Sequence, residues 1–368
     1  MIRCLLVGQL GGGGEEVFIR NLEASPPAGV EYEMVLEPHR STRSARCRVF
    51  EEVAYNRVPH RLLHPLQGLR SFRVSADIDL VHVHNVLHRV RPRRVPVVTS
   101  LGGATYWHYL ETYLGWTEPE IERLYRRAAR ILPRLGIGNE FVNPSASLGF
   151  MVFSRFAASH LLRWGVPGER VEVIPPGVPT PADAPRLRRE RGGRGPLTFL
   201  LVGRHPERKG ADLVLQAFRS LRRRHDVRLV LCGDPAYGDL DEPGVETHPW
   251  IDRERLLHEI FPAADVFLLP SRAEGYGLAL VEAMAYGIPG VATLQGAFPE
   301  ILDDGRCGLL VAPADAGALE SAMESLLLDD ELRASLGTRA RRRYEEEHAM
   351  GVFRERVAAF YRRAMARA

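Results

Sequence analysis

The sequence predicts an α/β protein of two similar halves, each a parallel sheet covered by helices, with the two halves facing each other across a cleft. Three observations carry that expectation. Short apolar runs alternate with helical patterns along the 368 residues. The runs are apolar throughout, as strands buried on both faces are, and do not alternate as half-exposed strands do. The series also begins afresh after a segment rich in Pro, Gly and Arg, at a length that suits two domains of comparable size.

Each element follows in order. IRCLLVG at the start is a strand that runs into a glycine-rich turn, and GEEVFIRNLEA carries apolar residues at helical spacing, which opens a strand–loop–helix unit. DIDLVHVH (77–84) and VPVVTSLGG (95–103) read as further buried strands. EPEIERLYRRAARIL (118–132) reads as a helix, GFMVFSRFAASHLLRWG (149–165) as a strand running into a helix, and RVEVIPPGV (170–178) as a strand ending in a Pro/Gly turn. PTPADAPRLRRERGGRGP (179–196) has no periodic apolar face and reads as a linker, with room for a short helix. The second series has strands at LTFLLVGR (197–204), VRLVLCGD (227–234), DVFLLPS (265–271), IPGVAT (288–293) and CGLLVAP (307–313). Its helices are ADLVLQAFRSLRRR (211–224) and GLALVEAMAYG (277–287). Two helices come after, and the last (351–366) has Val352, Phe353, Val357, Phe360 and Tyr361 on one side. Arg341 to Arg343 with Glu345 to Glu347 mark a solvated helix face.

These boundaries divide the chain into an N-terminal domain, 1–178, a linker, 179–196, and a C-terminal domain, 197–349. In both halves the sheet is Rossmann-like, and ligands of such sheets bind outside the carboxyl ends of the strands.

Composition is ordinary for a globular chain, with 45% hydrophobic and 26% charged residues. The net charge of +3 balances 49 basic against 46 acidic residues and argues against a dedicated nucleic-acid binder. Cys4, Cys47, Cys232 and Cys307 are scattered without metal or redox spacing and read as reduced thiols in a cytoplasmic setting. The apolar run at the N-terminus is too short for a signal peptide, and no stretch reaches the roughly 20 apolar residues of a membrane span.

Lysine usage singles out one position. All basic residues are arginine except Lys209, which lies in GRHPERKG. Arg204 follows a buried strand at its carboxyl end, and Lys209 and Gly210 come after a short loop. A guanidinium that binds bidentately and an ammonium acting as a point charge suit a diphosphate.

The most specific segment is SRAEGYGLALVEAMAYGIPGVA (271–292). Gly275 and Gly277 let backbone approach a ligand, and the amides of Tyr276, Gly277 and Leu278 form a helix start suited to an anion. Glu274 precedes the helix and Glu282 lies inside it, so one carboxylate can face a sugar and the other ribose hydroxyls. His82 and His84 share a strand face, a spacing that suits a metal. No Asp or Cys partner is evident near them, and strand-end histidines near the cleft are the simpler reading. RLLHPLQGLRSFR (61–73) mixes Arg with apolar residues, as an acceptor-side or membrane-surface segment does. Pro65 and Gly68 interrupt any helix there and favour a surface loop.

Together these motifs resemble glycosyltransferase family 4, the retaining transferases of the GT-B fold. The resemblance rests on GGEE (13–16) with Leu22, DLVHVH, FSRFAASHLLRWGVPGERVEVIPPGV, VGRHPERKG, EGYGLALVE with GIPGV, GAFPEIL (296–302) and GLLVAP. It spans nearly the whole chain and is more specific in the second half. It implies a nucleotide-diphosphate sugar as donor, with transfer to an acceptor hydroxyl. It also implies that Arg204 and Lys209 bind the pyrophosphate, beside Gly203, Gly275, Tyr276, Gly277 and Leu278. Glu274 would contact the donor sugar, Glu282 the ribose, and Gly13 and Gly14 would form a loop under the diphosphate. The last helix, about 350–368, would cross back onto the first domain.

A histidine that the family often carries after the third N-terminal strand is replaced near Gly102, and His108 is the nearest substitute. Pro176 stands where the family usually has Asn. The implied chemistry needs no cofactor or metal if Arg204, Lys209 and helix dipoles neutralise the leaving diphosphate. The acceptor is left open among small molecules, lipids and glycans, with peripheral membrane contact among the expectations. The nucleobase is expected near residues 245–250. Two other readings stand beside this one: a non-catalytic sugar-nucleotide binder, and an NAD-dependent dehydrogenase, for which Gly8 and Gly11–Gly14 have the wrong spacing.

Overall fold

A computed structural model of the chain describes residues 1–10, 14–38, 71–85, 89–91, 95–102, 111, 115–131, 134, 147–191, 195–238 and 240–368. The chain divides into two compact units, Met1–Gly177 with Gly351–Ala368, and Val178–Met350.

The strands of the first unit are β1 (Ile2–Leu10), β2 (Val30–Pro38), β3 (Ser71–Arg73), β4 (Leu80–His84), β5 (Arg89–Arg91), β6 (Val97–Leu101), β7 (Gly149–Val152) and β8 (Val171–Val173). Six form one parallel sheet in the order β2-β1-β4-β6-β7-β8, and β3 pairs with β5 apart from it. The helices described before the second unit are α1 (Gly14–Ala24), α2 (Glu118–Ile131) and α3 (Arg155–Arg163). Ser154 caps α3 by accepting a hydrogen bond from Ala157 N at 3.0 Å. All five residues of β4 are buried. Val81 and Val83 face a core with Leu5, Val7 and Val97, which sends His82 and His84 to the opposite face by the two-residue repeat of a strand.

The second unit has β9 (Leu197–Val202), β10 (Val227–Cys232), β11 (Val245–His248), β12 (Val266–Leu269), β13 (Gly290–Thr293) and β14 (Gly308–Val311), all parallel, in the order β11-β10-β9-β12-β13-β14. Its longer helices are α4 (Ala184–Arg191), α5 (Ala211–Arg222), α6 (Leu278–Ala285), α7 (Ala316–Leu328) and α8 (Asp330–Glu347). Phe199, Leu201, Leu229, Leu231, Val266 and Leu268 pack on one sheet face with Val214, Phe218 and Leu221 of α5 and Leu319, Met323 and Leu326 of α7. Each such side chain contributes about 1.5–3 kcal/mol on burial. Asp315 and Asp329 start α7 and α8 by accepting from Ala318 N and Leu332 N, each at 2.8 Å.

The segment expected as a linker holds α4, which lies against Phe261–Ala263, with Arg188 reaching Asp265 at 2.9 Å. This is the short helix the linker left room for, and its apolar face is small, with Ala184 buried and Leu187 half-buried.

The final helix, α9 (Met350–Met365), buries Phe353, Val357, Phe360 and Tyr361 within the first unit. A Cβ at Gly149 would lie 2.9 Å from Phe360 Cε2, so the bare backbone of β7 is what admits the ring. Arg363 Nε donates to Glu172 Oε1 at 3.0 Å, and Arg367 Nη2 to Glu169 O at 2.6 Å.

Strand order has a functional meaning. In the second sheet the chain moves from β9 outward to β10 and β11, then returns past β9 to add β12, β13 and β14. The reversal leaves a crevice at the carboxyl ends of β9 and β12, where ligands of doubly wound sheets bind. In the first sheet the corresponding point lies between β1 and β4.

Candidate functional site

The loops after β9 and β12 bring the sequence-singled residues of the second unit together. Gly203 follows β9 at φ +152°, and a Cβ there would lie 2.8 Å from Lys209 Cε. The missing side chain makes room for the lysine stem. His205 takes a left-handed conformation, φ 64°, with its N–H donating to Asp234 Oδ2 at 2.8 Å. A single helical turn, Pro206–Lys209, then ends on Gly210 at φ +74°, where a Cβ would strike the carbonyl oxygen of Pro270. The two loops therefore approach as closely as backbone allows.

The side chains of Lys209 and Glu274 are only 9% and 12% exposed, and they form an ion pair. Glu274 Oε2 accepts from Lys209 Nζ, from Ser271 Oγ at 3.3 Å and from Arg208 Nη1 at 3.4 Å, while Gly275 N donates to Oε1 at 3.3 Å. Burial pushes the Glu274 carboxyl up, but the charges of Lys209 and Arg208 outweigh it and hold it below the ordinary carboxylate value. Burial lowers the Lys209 ammonium against the opposing pull of Glu274. One concealed carboxylate and two cations thus converge at the switch point.

Helix α6 starts beside this pair. Gly277 is its N-cap at φ +93° with no side chain capping the first turn. A Cβ on Gly277 would sit 2.6 Å from Phe298 Cε1, so neither the backbone angle nor the space admits another residue. The first-turn amides of an uncapped helix are donors in search of an acceptor, and the dipole favours an anion there. Glu282, deeper in α6, is 5% exposed and pairs with Arg253 Nη1 at 2.7 Å. Burial raises its pKa against the pull of Arg253. Tyr276 is 6% exposed and meets the His348 ring edge-on at 6.1 Å.

Of the residues singled out in sequence, the structure gathers Gly203, Lys209, Glu274, Gly275, Tyr276, Gly277, Leu278 and Glu282 around the β9 and β12 loops and α6. Arg204 is exposed beyond β9, where its charge helps lower the Asp234 carboxyl against burial. Gly14 opens α1, while Gly13, Cys47, His108 and most of 61–73 lie outside the described residues. Sequence reasoning missed Arg208 and Arg253, the added partners of Glu274 and Glu282. Both are arginines in a chain that has little else for cations, so residue type alone did not mark them. The position of Arg208 next to Lys209 was the available signal.

The first unit carries a different set. His82 Nδ1 bonds to Tyr361 Oη at 2.6 Å, and His82 Nε2 and His84 Nδ1 each bond to Ser100 Oγ at 2.7 Å. Tyr361 Oη continues to Tyr32 Oη at 2.9 Å. Burial lowers the His82 pKa to about 3 and pushes the Cys4 thiol up to about 12. Burial keeps both histidines neutral; His82 ties α9 to the sheet through Tyr361, His84 bonds Ser100 of β6, and His84 Nε2 is buried without a partner among the described residues. Among the described residues no helix is long and apolar enough to cross a membrane.

Known proteins resemble this chain in sequence and in fold. A family model described as Glycosyltransferase Family 4 matches residues 11–181, and one described as Glycosyl transferases group 1 matches residues 185–343. A D-inositol 3-phosphate glycosyltransferase from an Arthrobacter species is 32% identical over 384 residues, covering 97% of this chain and 87% of its own. Among solved structures, a sucrose-phosphate synthase from Thermosynechococcus elongatus superposes with a TM-score of 0.67 at 19% identity over 100% of both chains. Anabaena HepE in complex with UDP-glucose superposes with a TM-score of 0.63 at 16% identity over 98% of this chain and 100% of its own. Likeness along both halves, on two parallel sheets with a charged switch point in the second, makes the chain a GT-B glycosyltransferase, and it belongs to glycosyltransferase family 4.

Proposed function

We propose that the second unit binds a nucleoside-diphosphate sugar at the β9–β12 switch point and that the enzyme transfers the sugar to an acceptor hydroxyl with retention at the anomeric carbon. The observation that carries this reading is the concealed Lys209–Glu274 pair beside the uncapped start of α6. A buried lysine held by one carboxylate, next to a helix start that no side chain caps, is a site shaped for an anion with a sugar attached.

The chemical demand is charge separation. Breaking the anomeric C–O bond leaves a cationic sugar and an anionic diphosphate. Lys209, Arg204 and the first amides of α6 stabilise that anion as it forms. Glu274 contacts the donor sugar and Glu282 the ribose. The acceptor hydroxyl attacks from the face the diphosphate leaves, and a leaving phosphate oxygen takes its proton, so no fixed general base is required. Gly13 and Gly14 are assigned to diphosphate binding. The nucleobase is assigned to the carboxyl side of β11, where Trp250 is 72% exposed and offers a stacking face.

The fold likeness to HepE, solved with UDP-glucose, supports a nucleotide donor. The D-inositol 3-phosphate glycosyltransferase relative makes a phosphorylated cyclitol the first acceptor to test. Residues 40–75 and 100–145, with His108, are assigned to acceptor choice. A cytoplasmic location with peripheral membrane contact remains part of the proposal.

Thermal-shift titration against UDP-, GDP-, ADP- and dTDP-sugars tests the donor class, with NAD as the contrasting ligand. One sugar nucleotide is expected to raise the melting temperature, and NAD to leave it unchanged. Transfer that persists in a chelator is expected, because the protein's own cations neutralise the leaving group. A shift by NAD alone would sink the reading, and inversion at the anomeric carbon by NMR would sink the retaining mechanism.

A further inference from the structure

The β9 and β12 loops are joined by a second set of contacts that none of the chemistry above uses. Arg272 Nη1 and Nη2 hold the two carboxylate oxygens of Asp212 at 2.7 and 2.6 Å. Arg272 Nη1 also donates to Glu207 O at 2.7 Å, and Arg272 N to Arg208 O at 2.8 Å. Arg208 answers in the other direction, Nη1 donating to Ala273 O at 3.2 Å.

Every one of these bonds runs from the segment after β9 to Arg272 or Ala273, the two residues before Glu274. Glu207 and Arg208 immediately precede Lys209, and Asp212 lies in the first turn of α5 behind it. The contacts therefore bracket the Lys209–Glu274 pair without including it. The fork of a guanidinium on a carboxylate fixes both distance and angle, which a single point charge would not do.

We infer that Arg272 and Asp212 form a positioning clamp, which holds the β12 loop in register with the β9 turn so that Lys209 and Glu274 present themselves together to the donor. The inference rests on the donor-site reading above. The clamp residues touch no substrate; they act through Lys209 and Glu274. Two features favour positioning over general support of the fold. Side-chain exposures of 36% for Arg272 and 56% for Asp212 place the pair in water, where an ion pair adds little to stability. The loops it joins follow the last ladder positions of β9 and β12, so sheet hydrogen bonds do not set their register. The Arg272 hydrogen bond also holds the Asp212 carboxyl low, so it stays ionised at neutral pH.

The test uses the full chain with UDP-glucose and GDP-mannose as donor probes. Arg272→Met and Asp212→Asn are compared with Asp212→Glu, which keeps the carboxylate, and with Lys209→Ala. Arg272→Met and Asp212→Asn are expected to lower kcat by about 10- to 100-fold, since a displacement of about 1 Å at a reacting centre has that cost. KM for the donor should move far less, because the Lys209 charge stays nearby. Asp212→Glu should recover most of the rate. Amide exchange at Gly275 and Tyr276 should quicken in the two broken variants while their melting temperatures stay near wild type.

Wild-type kcat in Arg272→Met would overturn the clamp, as would a loss confined to KM or one that follows the melting temperature. Lys209→Ala separates the two readings. If it transfers sugar normally, the donor site itself is misassigned. If it fails while Arg272→Met performs normally, only the clamp is lost.

Discussion

The two units use one architecture for opposite electrostatic ends. At its switch point, the second sheet concentrates charge: Lys209, Arg208 and Glu274 in one cluster, Arg253 and Glu282 in another. The first sheet, near the end of β4, joins neutral polar groups among the described residues: His82, His84, Ser100, Tyr32 and Tyr361 in one hydrogen-bonded chain. Concealed charge is costly unless it is paired, and pairing it leaves a site ready to answer a charged ligand. Concealed neutral groups cost little once hydrogen-bonded, and they specify packing. The difference teaches that the parallel sheet supplies only the location. Chemistry comes from what the loops beyond the strands carry.

Breaking this comparison at its charged end should have the largest effect. Lys209→Ala is expected to lower turnover by about 10²–10³-fold, the cost of removing one preorganised donor to a developing anion. Steady-state transfer assays check it, with the melting temperature as a control on folding.

The neutral end should answer in stability instead. Tyr361→Phe leaves His82 Nδ1 and Tyr32 Oη without their shared partner, a loss of about 1–3 kcal/mol. Denaturant unfolding of the first unit should show it, while sugar-nucleotide affinity stays at the wild-type level. A change in donor affinity of the same size would erase the division of labour.

Acid sharpens the same point. His82 titrates near 3 in the folded chain against an ordinary 6.5. At pH above 6.5 both folded and unfolded histidine are neutral. As pH falls below that value the unfolded chain takes a proton that the folded chain refuses, and His82 alone removes about 1.4 kcal/mol of stability per pH unit until the folded group titrates, with His84, lowered by the same burial, adding to the slope. Denaturation midpoints between pH 7 and 4 measure the slope, which should flatten when His82 is replaced by Gln.

The smallest effect is expected from charge placed elsewhere in the second unit. Arg219 forks onto Glu242 at 2.7 and 2.9 Å on the surface. Arg219→Ala should cost about 0.5 kcal/mol, since water screens an exposed pair, and should leave transfer intact. A transfer defect there would mean that net charge, and not the switch point, governs activity.

Much of the charged end was legible in the residues. Lys209 was conspicuous as the only lysine, and Glu274 and Glu282 were marked by the glycines around them. Arg208, Arg253 and the clamp residues Arg272 and Asp212 were not. In an arginine-rich chain a guanidinium carries no label, and Arg208 finds Glu274 across 66 positions of sequence. The neutral end was less legible still. His82 and His84 showed a shared face, which left a metal and a plain strand-end role both open. Tyr361, the partner of His82 Nδ1, lies 279 positions away.

The sequence by itself determined the two series of buried strands, the glycines that let backbone close up at Gly203 and Gly277, and the residue types at the β9–β12 switch point. These follow from local rules: strands buried on both faces must be apolar throughout, and positive φ beside a crowded neighbour admits only glycine. Tertiary structure alone decided which arginine meets which carboxylate, which way each pKa moves, and that a tyrosine on the last helix binds His82 of β4. Those outcomes depend on distance and burial between residues remote in the chain. Coulomb and desolvation energies are set by such separations, which no local pattern records.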